Sequence, residues 1–83
     1  VNYCYDISSQ ILAEEGLPFS TLLPLIEETT KKIYEIPPHD AQTGPARRGD
    51  SVVMNAHLEQ IKSPHLQEIY KLLSKSITDS YSK

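Results

Sequence analysis

Apolar side chains recur at three- and four-residue spacing along most of the chain, and residues that break helices punctuate the pattern. Val1, Cys4, Tyr5, Ile7, Ser8, Ile11 and Leu12 form a first stripe, and Gly16 follows as its C′ stop. Leu17-Pro18-Phe19 turns the chain. Ser20 or Thr21 is then expected to cap a second helix running to about Ile36, with Pro24 in the first turn, where a missing N–H matters least. Leu22, Leu25, Ile26, Thr29, Ile33 and Ile36 make one face of it. Glu27, Glu28, Lys31, Lys32 and Glu35 fall mostly elsewhere and read as a solvated face, ended by Pro37-Pro38.

Periodicity lapses over residues 37–49, the longest non-periodic stretch, and resumes in two further helices. A third helix over residues 51–62 directs Val52, Val53, Ala56, His57 and Ile61 to one side, with Leu58 broadening the stripe. Ser63-Pro64 resets the chain as an N-cap followed by Pro at the first helical position. The fourth helix has the cleanest pattern: Leu66, Ile69, Tyr70, Leu73 and Ile77 at core spacing, Leu72 beside them, and Tyr81 one turn on. Truncating Leu73 to Ala is expected to leave a void costing on the order of 2–5 kcal/mol. With no alternating strand pattern and no repeat, the chain is expected to be all-α, a bundle of about four helices forming one domain over residues 1–83.

The apolar share of 39% is ordinary, and 83 residues bury little. A core of this size leaves a margin of only about 3–5 kcal/mol, so the fold would gain from a partner. The single Cys4 excludes a disulfide framework and suits a reducing compartment. The apolar runs are too short to cross a bilayer and no secretory signal is present, so the expected location is cytoplasmic, with no membrane partner. Eight basic against eleven acidic side chains give a net charge of −3. That balance disfavours nucleic acid, and few Lys or Arg stand near the start of the fourth helix, where a helix-turn-helix would need them. No N-cap precedes the first helix, so the chain is expected to begin inside a longer helix that follows another domain.

The residues with possible chemistry gather where the pattern lapses. In Thr43-Gly44-Pro45-Ala46-Arg47-Arg48-Gly49-Asp50, Pro45 fixes its own φ and the glycines open conformations closed to other residues. A shaped, basic loop results, and Asp50 is placed to cap the third helix. Arg47 and Arg48, with the free N–H groups of that helix, offer a site for a carboxylate or phosphate. His57 stands two turns after Asp50, either as a packing histidine or as a cleft residue. Arg48-Gly49-Asp50 spells an adhesion tripeptide by coincidence, since Asp50 is wanted as a cap. Three histidines without zinc-type spacing predict no metal site, and Cys4 reads as a packed thiol. No Gly-x-Gly-x-x-Gly or Walker loop occurs, so no cofactor is expected to bind this stretch of chain.

The run Thr43 to Asp50 followed by Val52, Val53, His57 and Leu58, with Gly16-Leu17-Pro18 and Pro24-Leu25-Ile26-Glu27-Glu28-Thr29 upstream, resembles the C-terminal domain of a bacterial family of Rossmann-like oxidoreductases. That domain is catalogued as one of unknown function. The resemblance implies an all-α domain similar to the 6-phosphogluconate dehydrogenase C-terminal domain, preceded by a dinucleotide-binding domain like that of pyrroline-5-carboxylate reductase. NADP, or alternatively NAD or F420, would sit on that N-terminal domain. It further implies a homodimer, and a cleft for a small-molecule substrate walled by Asn2, Thr43, Gly44, Pro45, Arg48, Asp50 and His57. Arg48 would anchor a substrate anion there and Asp50 would act as a cap. The alternative is a freestanding helical module that docks another protein.

Overall fold

The computed structural model describes residues 1–82, and every regular element among them is helical. The helices are α1 (Asn2–Glu14), α2 (Leu23–Glu35), α3 (Pro38–Ala41), α4 (Pro45–Arg48), α5 (Ser51–Gln60) and α6 (Pro64–Tyr81), with a 3₁₀ turn at Phe19–Leu22. The all-α class expected from the pattern is therefore observed, and its four long helices are α1, α2, α5 and α6. The stretch expected to be loop differs, since it carries the single-turn helices α3 and α4. The chain divides into two compact units, Val1–Ala41 and Gln42–Lys83.

In the first unit α1 ends at Gly16 by a Schellman motif. The N–H groups of Gly16 and Leu17 donate to the carbonyls of Ala13 and Leu12, at 3.0 and 2.9 Å. Both α1 and α2 pack on the 3₁₀ turn, where Phe19 meets the Tyr5 ring edge-on at 6.3 Å. This turn corrects the expected start of the second helix. Neither Ser20 nor Thr21 caps α2, because the turn carries the backbone directly into the helix through Leu22. Cys4, expected to be packed, is exposed and borders a groove with Tyr5, Ser8, Leu22, Leu25 and Ile26.

In the second unit α4 packs on α5 and α6 and supplies Ala46, the one buried residue among those described. Thr78 Oγ1 donates to the Ala46 carbonyl at 3.1 Å, and the Arg47 guanidinium lies 4.0 Å from the centre of the Tyr81 ring. At the other end, Ser63 caps α6 by accepting from Leu66 N–H at 3.4 Å. The Gln67 amide donates to the carbonyls of Ile61 and Leu58 at 2.6 and 3.2 Å. These bonds close the last turn of α5, which stops at Gln60 rather than at Lys62.

The covered face of α6 follows most of its apolar spacing, with Leu66, Ile69, Tyr70, Ile77 and Tyr81 half-buried, but departs from it at Leu73. Leu72 and Leu73 are 70% and 51% exposed, while Gln67, Tyr70, Ser74, Thr78 and Tyr81 are half-buried. The void expected on truncating Leu73 is therefore absent from this chain. Val52, expected on the inner side of α5, is likewise exposed, as are Leu25, Ile33 and Tyr34 on α2. Hydroxyl and amide groups knit the second unit together, and much of the apolar surface faces outward.

Candidate functional site

The bend around α4 is built by two glycines with different demands. Gly44, at φ +100° and ψ 175°, occupies a region that side chains essentially exclude, and it delivers Pro45 to the first position of α4. Gly49, at φ +67°, takes the left-handed conformation that ends the helix. Gly49 N–H then donates to the Ala46 carbonyl at 3.2 Å, and Asp50 N–H to the Pro45 carbonyl at 2.8 Å. Pro at the start and Gly past the end form a one-turn helix signature, too short for periodicity to register.

Asp50 both ends the bend and starts α5. Its carboxylate accepts from Val53 N–H at 3.2 Å and lies 3.9 Å from the Arg48 guanidinium. Ser51 N–H donates to the Gly49 carbonyl, and Met54 N–H to that of Asp50. Most of the free N–H donors expected at this helix start are thus taken, and a carboxylate already sits on its positive end. The α5 terminus is a poor place for a further anion. Arg48 remains as an exposed cation, whereas Arg47 is stacked on Tyr81.

His57 lies two turns along α5 from Asp50, roughly 10 Å by helical rise. Its Nδ1 is 2.7 Å from the hydroxyl of Tyr70 on α6, and the two rings meet edge-on at 85°, centroids 5.8 Å apart. Of the residues singled out by sequence, the structure assembles Gly44, Pro45, Arg48 and Asp50 into one continuous turn. His57 stands on the same helix as its cap. Thr43 precedes the turn, exposed, with its carbonyl accepting from the Gln42 amide at 2.9 Å. Asn2 opens α1 in the other unit and is exposed.

Sequence reading missed Tyr70, Gln67 and Thr78 as partners. Each makes its bond to a residue six or more positions away, so no local spacing marks it. A groove of about 260 Å³ between α5 and α6, bordered by Met54, Leu58, Tyr70, Lys71 and Thr78, includes none of the expected cleft residues. Among the described residues no three His, Cys, Asp or Glu side chains gather as metal ligands, and no helix is long and apolar enough to cross a membrane.

The family model described as a domain of unknown function, DUF2520, matches residues 1–77. The chain belongs to this family. Among solved structures, the DUF2520 chain is similar to a protein of Bacteroides fragilis titled "putative NADP oxidoreductase", with 43% sequence identity and a TM-score of 0.91. The match covers 94% of this chain and 30% of that one, so the chain spans about a third of that protein's length. No curated protein matches it.

Proposed function

We propose that this chain is the C-terminal, substrate-side helical domain of an NADP-dependent oxidoreductase that works as a homodimer. The observation carrying this reading is the 43% identity, sustained over 94% of the chain, to a protein titled as an NADP oxidoreductase. In that protein 70% of the length lies outside the match, ample for a dinucleotide-binding domain. NADPH, bound by that other domain, supplies the hydride. The helices hold the substrate in position and keep water out.

Within this assignment Thr43, Arg48, Asp50 and His57 face the cleft. Arg48 is exposed on a turn fixed by Gly44, Gly49 and the Asp50 cap, a geometry suited to holding a substrate carboxylate or phosphate. The exposed Leu72 and Leu73 on α6, and Leu25 and Tyr34 on α2, supply apolar area for the second subunit or the cofactor domain. Burying each such side chain is worth about 1.5–3 kcal/mol, which offsets the thin core.

The same exposed faces favour a second reading, a helical module that docks another protein. NADPH titration into the full-length gene product, with its mass in solution, separates the two. Micromolar or tighter NADPH binding by a dimer supports the oxidoreductase; a monomer without nucleotide affinity removes it and leaves the docking module.

A further inference from the structure

The contact between His57 and Tyr70 determines which ring nitrogen carries a proton. A neutral imidazole has one donor and one acceptor nitrogen, and the partner of one fixes the state of the other. If Nδ1 carried the hydrogen, it would donate to a phenol oxygen, a poor acceptor, and the Tyr70 hydroxyl proton would need another acceptor in a half-buried place. The reverse arrangement satisfies both groups with one bond of 2.7 Å: the hydroxyl donates to Nδ1, and Nε2 keeps its hydrogen. Among the described residues, Tyr70 is the hydrogen-bonding partner of the His57 ring.

The surroundings hold this arrangement in place. The Gln67 amide ties the end of α5 to α6 through the Ile61 and Leu58 carbonyls, within one turn of His57 on α5 and one turn from Tyr70 on α6. The edge-on ring contact restricts imidazole rotation.

We propose that Tyr70 is a positioning residue that locks His57 with its hydrogen on Nε2, so that His57 donates a hydrogen bond to a carbonyl or carboxylate oxygen of the substrate. This deepens the oxidoreductase reading and rests on it for the substrate, whereas the tautomer stands on the geometry alone.

The test uses the full-length protein labelled with 15N at histidine, above the ordinary histidine pKa of about 6.5. Acetate serves as the oxygen probe. Wild type should show His57 with unprotonated Nδ1 and protonated Nε2, and acetate should shift the Nε2 signal. Tyr70→Phe keeps the ring and removes the hydroxyl; it should mix the tautomers and weaken the acetate response roughly fivefold, with NADPH affinity unchanged. A wild-type His57 protonated at Nδ1 overturns the proposal even if the variant fails to fold. So does an acetate response that is absent in wild type or equal in Tyr70→Phe. Wild type without NADPH affinity instead removes the oxidoreductase reading and leaves the tautomer assignment in place.

Discussion

The Thr78 hydroxyl donates to the Ala46 carbonyl at 3.1 Å, tying the last third of α6 to the one-turn helix that shapes the bend. A helix of four residues cannot hold itself together in water, since nucleation is costly and too few bonds follow. The bend therefore borrows its rigidity from α6. Thr78→Val keeps the shape and removes the donor, leaving a half-buried carbonyl with one partner fewer. A loss of about 1 kcal/mol is expected, with faster amide exchange at Gly49 and Asp50. Unchanged exchange there would show that Ala46 and Arg47 suffice to hold α4.

The two glycines of the bend should respond differently to the same substitution. A Cβ at either position meets nothing within 4 Å, so any cost is conformational. Gly49→Asn places a residue that tolerates the left-handed region and should cost well under about 1 kcal/mol. Gly44→Asn forces a side chain into a region nearly reserved for glycine, at about 1–3 kcal/mol. Denaturant midpoints that fall equally for both would contradict the backbone described here.

Asp50 should act on stability through its cap rather than through its charge. Asp50→Ala is expected to cost about 1 kcal/mol, and Asp50→Asn only a few tenths, because Asn caps as well. Arg48→Ala should change stability by less than about 1 kcal/mol, since the pair it breaks is long and largely solvated. If the Asn variant proved as unstable as the Ala variant, the ion pair would matter more than the hydrogen bond to Val53.

At the exposed rim of the α5–α6 groove, Lys75 donates to Asp79 at 2.8 Å. That hydrogen bond, with the carboxylate's charge behind it, raises the Lys75 pKa above its ordinary 10.5. Any stabilisation is fully present below the unfolded value of 10.5 and is lost as pH rises through the higher folded value. NMR titration of Lys75 should show the value fall back toward 10.5 in Asp79→Asn. An unmoved titration would mean that the pair is not formed in solution.

Local chemistry made parts of this structure readable in advance. Gly16 stops α1, and Asp50 and Ser63 cap α5 and α6, each through a bond spanning five residues or fewer, while Pro24, with no N–H to donate, enters the first turn of α2. The helix α4 was legible in principle from Pro45 and Gly49, although four residues carry no measurable period. What periodicity cannot decide is how far round an amphipathic helix its own chain reaches. On α6 Leu66, Ile69, Tyr70 and Ile77 are half-buried as their spacing predicts, yet Leu73 of the same stripe is exposed while Ser74 and Thr78 are half-buried. The candidate site was legible as a turn, and His57 as a choice between packing and cleft. Its link to Tyr70 crosses thirteen residues and was not.

On the proposed reading, the bend from Thr43 to Asp50, together with His57, forms the substrate-side wall of a nicotinamide site. A crystal structure of the full-length protein with NADPH tests it most directly, through the separation between the nicotinamide ring and the side chains of Arg48 and His57. The expected result is a gap that a single small molecule can bridge, with Leu72 and Leu73 covered by protein. A bend facing open solvent, remote from the bound nucleotide and from any neighbouring subunit, would contradict it.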